Sequence, residues 1–337
     1  MEMERSTLIG KAKYQHPLRV LGLSLLVLLL GLVSLFVGVR DLRPTEFLSW
    51  GQEEIMLLSL SRFPRTIALI ITGAGISICG LVMQQMTQNK FVSPTTSGAL
   101  DAAKLGILGT LVLLPQANTS IKLAFAFAIT FLASMIFIKI ADSIRYRSVI
   151  FIPIVGLMFG GIINSITSFF AYRFNIVQDV GASRDIAGSW LMGDFSGILE
   201  GNYEAVYLCL PAVLLTYLYA SKFTVVGMGR DFSKNLGLNY RGVLNIGLFC
   251  VSLTISAIVV TVGIIPFLGL VIPNVVSLLF GDNLKRTLPY TMLFGAIFLL
   301  GCDIIGRLII FPFEVPIGMM IGMLGGILFL VLLLRKR

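Results

Sequence analysis

An all-α polytopic membrane protein is the fold class this sequence predicts, and three observations predict it. Of 337 residues, 56% are hydrophobic and only 13% are charged, about half the charged share of a soluble domain. The mean hydropathy of +0.93 describes more apolar surface than one globular core can hide. Apolar runs able to cross about 30 Å of hydrocarbon recur from residue 18 to the end, at 18–39, 64–86, 95–115, 121–141, 151–172, 203–221, 243–263, 266–281, 288–306 and 314–334. That makes ten spans in a single transmembrane domain, residues 1–337.

Each element has its own reason. The first run is too long for a cleavable signal peptide and reads as a retained span. The second opens on Ser61-Arg62-Phe63-Pro64-Arg65-Thr66, where Pro64 suits a first helical turn because its missing N–H has no partner there. It continues through Gly73-Ala74-Gly75-Ile76-Ser77-Ile78-Cys79-Gly80. Small faces of this kind let helices approach closely, so this span is expected at the centre of the bundle. The third run is rich in glycine and threonine and carries Asp101 and Lys104. Three residues apart, these share a helix face, either as a structural ion pair or as a coupling-ion site. The fourth and fifth runs, 121–141 and 151–172, are apolar over most of their length, with Lys122 and Lys139 near the two ends of the fourth.

An outer segment, 173–202, then carries a helix-like patch at 185–192. The sixth run leads into a cytoplasmic segment, 222–241, where Asp231-Phe232-Ser233-Lys234-Asn235-Leu236 reads as a short helix stopped by Gly237. The eighth run is short for a full crossing. The ninth places Asp303 four residues before Arg307, where it can hold that arginine. Five spans per half would make the halves inverted copies. The only echo between them, Gly80-Leu81-Val82 and Gly269-Leu270-Val271, is too short to establish it.

Several chemistries are excluded. The four cysteines, Cys79, Cys209, Cys250 and Cys302, lie singly in apolar runs, and the one histidine, His16, lies in the N-terminal tail. Neither a histidine metal site nor a disulfide framework is available. No GxxxxGK[ST] loop occurs; Gly10-Lys11 lacks both the upstream glycine and the following hydroxyl. The net charge of +9 reflects lysines and arginines gathered in loops on one side, by roughly two to one, which makes both termini cytoplasmic. Arg62, Arg65 and Arg307 then fall on the outer face, against that bias. On residue type alone, Arg62 and Arg65 are equally a headgroup anchor and a binding patch.

A series of motifs in order resembles one family, the membrane permeases of ABC importers for iron–siderophores, haem and vitamin B12. The series runs Arg62-Phe63-Pro64-Arg65; Gly80-Leu81-Val82-Met83-Gln84-Gln85; Asn89-Lys90-Phe91-Val92-Ser93-Pro94; Gly229-Arg230-Asp231 to Leu236-Gly237. It continues with Gly269-Leu270-Val271-Ile272-Pro273-Asn274; Gly281-Asp282-Asn283 to Leu288-Pro289; Asp303-Ile304-Ile305-Gly306-Arg307; and Glu314-Val315-Pro316-Ile317-Gly318. These cover the chain from about residue 20 onward. Lys90 stands where most members have proline, and the run after it looks most like the branch handling catecholate-type siderophores, such as the petrobactin importers of Gram-positive bacteria.

The resemblance implies a type II importer architecture and a set of roles. Arg62, Arg65 and Arg307 would dock the two lobes of an extracellular substrate-binding lipoprotein through its carboxylates, a task suited to arginine's fixed charge and fork of donors. Gly229, Arg230, Asp231, Lys234, Leu236 and Gly237 would form the coupling segment that meets the ATPase. Here the acidic residue comes one position later than in most relatives. The cytoplasmic gate maps to about 145–152, where Ser148, Val149 and Ile150 suggest a greasier constriction. The implied partners are a second permease (a sister chain or a second copy), two ATPase subunits that use ATP and magnesium, and the binding protein. The cargo would be a ferric siderophore. This chain would bind no cofactor or metal and would not itself be an enzyme. Other readings are a permease for haem or a cobalamin-like substrate, an ion-coupled secondary transporter built on Asp101 and Lys104, and a membrane-embedded enzyme. The last lacks histidine clusters or paired outward carboxylates.

Overall fold

The computed structural model describes residues 2–38, 51–144, 150–176 and 193–335. Its helices are α1 (Glu2–Phe36), α2 (Gln52–Leu57), α3 (Phe63–Met86), α4 (Ala99–Leu113), α5 (Thr119–Ser143) and α6 (Phe151–Arg173). They continue with α7 (Cys209–Leu218), α8 (Ala220–Gly227), α9 (Arg230–Asn235), α10 (Tyr240–Val262), α11 (Leu268–Phe280), α12 (Leu284–Ile309) and α13 (Ile317–Arg335). Among the described residues there is no strand. Every one of the ten expected spans has a helix. Six are long and apolar enough to cross a membrane alone, and a bent pair makes a seventh. The short ones are α4, α11 and α13. At 13 residues, α11 rises only about 20 Å.

The glycine-rich second span is central, as its small residues predict. In the stretch that contains α3, 83% of the apolar window is buried, against 17% for α1 and 28% for α6. The close approaches are glycine to glycine. A Cβ on Gly73 would meet the Gly295 carbonyl oxygen at 2.5 Å, so α3 and α12 touch backbone to backbone. A Cβ on Gly80 would lie 2.5 Å from the Gly269 carbonyl carbon and 2.7 Å from its Cα, so α3 meets α11 in the same way. The two Gly-Leu-Val sequences that echo each other in the chain are thus in contact at that crossing. Backbone proximity of this kind replaces the hydrophobic drive that lipid cannot supply.

Pro64 lies in the first turn of α3, as expected, but the chain is already helical before it. A π-helical turn, Leu58–Arg62, joins α2 to α3, and the helix extends back to Gln52. Pro64 cannot donate to the carbonyl four residues before it. That carbonyl, Leu60 O, instead accepts from Glu200 N at 2.9 Å. Glu200 lies in an irregular strap, 193–203, on the outer face. The strap is also bonded at its other end: Gly193 N donates to Ile264 O, Asp194 N to Val262 O, and Gly318 N to Gly193 O, each at 2.9 Å.

The third span starts later than expected because residues 93–98 form turns. Ser93 N donates to Thr96 Oγ1 at 2.8 Å, and Gly98 takes φ +77, a left-handed conformation glycine adopts freely. The sixth span also ends differently. It bends by 65° around Tyr219 and continues as α8 to Gly227, so 222–227 is helical rather than open loop. At the bend, Lys222 Nζ sits 4.1 Å from the Tyr219 ring centroid, a cation–π contact. The patch expected at 185–192 lies outside the described residues.

Candidate docking and coupling sites at the two membrane faces

The outer ends of α1, α3 and α12 are joined by three arginines. A helix leaves its last four carbonyls without partners and carries partial negative charge there. At the end of α1, Arg62 Nη1 donates to Leu35 O at 2.8 Å and Phe36 O at 3.0 Å. Arg307 Nη1 donates to Ser34 O at 3.1 Å and Val37 O at 2.6 Å, and its Nη2 donates to Ser34 Oγ at 2.6 Å. Two side chains from distant parts of the sequence thus cap the first helix. Arg307 also pairs with Asp303 on the next turn of α12, the contact their spacing predicts.

Asp303 has a second partner that spacing could not reveal. Arg65 Nε and Nη2 donate to Asp303 Oδ1 at 3.2 and 2.8 Å. Arg65 Nη1 reaches Glu314 Oε2 at 2.8 Å. Two arginines flank a carboxylate whose side chain is 1% exposed. Burying one charge requires this degree of pairing.

The three arginines therefore come together, but not as a free outward patch. Arg62 and Arg307 are buried, at 7% and 6% exposure, because the carbonyls of α1 draw their donors inward. The cluster reaches the surface at the Arg65–Glu314 pair, with side chains 13% and 27% exposed. The sequence places Glu314 in the motif series without revealing its pairing, and nothing in it marks Ser34. The Glu314-Val315-Pro316 motif was the available signal.

On the cytoplasmic side, α9 forms where the sequence places a short helix. Gly229 enters it at φ +113 and Gly237 leaves it at φ +74, and both values favour glycine. Ser233 is buried beneath, its Oγ donating to Gly229 O at 2.7 Å and Val225 O at 3.0 Å. That fastens α9 to the end of α8. Arg230, Asp231 and Lys234 are exposed, and so are the apolar Met228 at 60%, Phe232 at 48% and Leu236 at 61%. Phe232 and Leu236 are four apart and share a face. The segment thus presents an apolar stripe flanked by charge.

Lys90 ties a second cytoplasmic loop down. Its Nζ lies 2.9 Å from both Asp282 carboxylate oxygens and from Ser277 Oγ. Its carbonyl accepts from Gln84 Nε2 at 3.0 Å and Asn274 Nδ2 at 2.8 Å. Lys90 thus joins the α3–α4 loop to the end of α11. Beside it, a cavity of about 240 Å³ opens between α3, α8 and α11 and touches Gly227 and Met228.

Two expected sites are less developed. Ile150 is 67% exposed just before α6, while Ser148 and Val149 lie outside the described residues. Asp101 and Lys104 pair at 3.4 Å, and Lys104 Nζ also donates to Asn164 Oδ1 on α6 at 3.1 Å. Among the described residues no group of three His, Cys, Asp or Glu side chains could hold a metal.

Comparison with known proteins identifies the family. The family model described as the FecCD transport family matches residues 25–335. The chain is 49% identical over 315 residues to the petrobactin import system permease protein YclN of Bacillus subtilis, covering 94% of this chain and 98% of that one. It is 43% identical over 302 residues to the ferric-anguibactin transport system permease protein FatD of Vibrio anguillarum, covering 90% and 94%. A metal-chelate type ABC transporter solved in an inward-facing conformation superimposes with a TM-score of 0.78 at 22% identity, over 95% of this chain and 99% of that one. With its repeated apolar spans, this chain is a multi-pass protein of the cytoplasmic membrane and belongs to the FecCD transport family.

Proposed function

We propose that this chain is the permease subunit of an ABC importer that carries a ferric siderophore of the catecholate class across the cytoplasmic membrane. The observation that carries the reading is near full-length similarity, at 49% identity, to a petrobactin import permease. The chain has no phosphate loop, so a separate ATPase subunit supplies the hydrolysis. Its own work is conformational. A binding protein docks outside, the ATPases close inside, and two permeases rock to expose the pathway alternately.

The two faces suit that division of labour. Outside, carboxylates of the binding protein meet the Arg65–Glu314 edge, the part of the arginine cluster at the surface. Arg62 and Arg307 hold the framework behind it. Inside, the stripe of Phe232 and Leu236 with Arg230, Asp231 and Lys234 meets a groove of the ATPase. Gly229 and Gly237 set its angle.

The test is reconstitution of this chain with its neighbouring permease, ATPase and binding protein in proteoliposomes. ATP-dependent uptake of iron supplied as ferric petrobactin is expected. Uptake of a different ferric siderophore would overturn the substrate and keep the permease; uptake without ATP or the ATPase would overturn the permease. For docking, Arg65→Glu is expected to lower binding-protein-stimulated ATPase activity by about tenfold or more. Unchanged stimulation would remove Arg65 from the docking surface.

A further inference from the structure

A groove between the cytoplasmic ends of α5 and α10 plays no part in the sites above, apart from sharing Arg230. It encloses about 430 Å³. Lys139, Arg230 and Arg241 line its mouth with a single carboxylate, Asp142, while Leu244 and Leu248 line it further in. Three cations against one carboxylate leave a net charge of +2. All four charged side chains are exposed, whereas Leu244 and Leu248 are buried.

Polarity changes with depth. Arg241 is the second residue of α10, and Leu248 lies two turns further along, about 10 Å toward the membrane centre. Lys139 and Asp142 occupy the last turn and a half of α5. Charge therefore sits nearer the cytoplasmic helix ends and apolar side chains nearer the middle of the bundle. A soluble anion would gain nothing from the apolar wall. A loop of a cytoplasmic partner would have to leave water to reach it.

We infer that this groove binds an anionic phospholipid of the cytoplasmic leaflet, its headgroup phosphate between Lys139, Arg230 and Arg241 and one acyl chain along α5 and α10. Basic pockets between helices on this side of a membrane attract anionic headgroups, each cation adding to the attraction. Because Arg230 is also the first residue of α9, the bound lipid bridges the membrane helices and the cytoplasmic segment.

The test uses the assembled importer in phosphatidylcholine vesicles containing photoactivatable phosphatidylglycerol, with labelled peptides mapped after illumination. Label is expected on the cytoplasmic ends of α5 and α10, well above that from a photoactivatable phosphatidylcholine. Lys139→Gln and Arg241→Gln are each expected to lower it about fivefold, and together by roughly 25-fold. Lys139→Arg is expected to retain it. Thermal stability and elution profile of each variant separate loss of lipid from loss of fold. Equal labelling by both lipids, or label undiminished in the double variant, would overturn the inference. Competition by excess glycerol phosphate would assign the site to a soluble phosphate instead. Label that appears only after the ATPase subunits are stripped away would assign the groove to the ATPase.

Discussion

Gly80 and Gly269 face each other where α3 crosses α11, yet they are not equivalent. A Cβ on Gly80 would point into the opposing backbone, 2.5 Å from the Gly269 carbonyl carbon and 2.7 Å from its Cα. The Gly269 carbonyl oxygen would lie closer still. No rotamer change relieves a clash with backbone, so the helices would have to part to restore ordinary contact. A Cβ on Gly269 instead meets Ile76 O at 2.9 Å, Pro94 Cδ at 3.1 Å and Ile76 Cγ2 at 3.3 Å. Only the first of these is backbone and under 3.0 Å, and it calls for a smaller shift. Overpacking of a tight core costs about 1–3 kcal/mol and sometimes more. Gly80→Ala is expected at or above the top of that range and Gly269→Ala near the bottom. Gly109→Ala, where nothing lies within 4 Å, serves as the neutral control. The assay is thermal stability of the detergent-solubilised protein, read by retention of the folded elution peak after heating. Siderophore uptake is measured in parallel. Equal losses for Gly80→Ala and Gly269→Ala, or a Gly80→Ala protein as stable as Gly109→Ala, would refute the reasoning.

Asp303→Asn strands two arginines around a neutral side chain and should cost about 3–5 kcal/mol, as does breaking a buried pair. Glu314→Gln, at the surface, should cost about 1 kcal/mol or less; comparable melting shifts for the two would contradict the internal role of Asp303. Ser233→Ala removes the donor that fastens α9 to α8, at about 1 kcal/mol. It should leave the membrane helices folded while lowering uptake per ATP hydrolysed, so an unchanged ratio argues against a coupling role. Replacing Asp101 and Lys104 together by Asn and Gln should preserve uptake if the pair only holds α4 to α6. Loss of uptake with ATPase stimulation intact would revive an ion-coupled mechanism.

What the sequence made legible was set by local periodicity. The spans, the small-residue face of α3, the Asp303–Arg307 contact and the stop at Gly237 all depend on residues within one or two turns. What it hid depends on partners brought together by the fold. Arg65 and Asp303 are 238 residues apart, and Ser34 lies 273 residues from Arg307. Nothing local marks α1's terminal carbonyls as the target of arginines that read as surface charges. The helical turn before Pro64 was hidden for a related reason. Pro64 does sit in the first turn of α3, but the carbonyl it leaves free is acceptable within a longer helix when another segment supplies the donor.

That donor belongs to the outer strap, and the strap has a mechanical meaning. Its four backbone bonds join it to the turn before α3, the end of α10, the approach to α11 and the start of α13. Pulling on any one of these ends either drags the other three or breaks a bond whose groups then need new partners. The strap is a yoke. Force applied at the outer surface cannot tilt one helix privately; it is shared among the central helix, the short helix crossing it and the last helix of the chain.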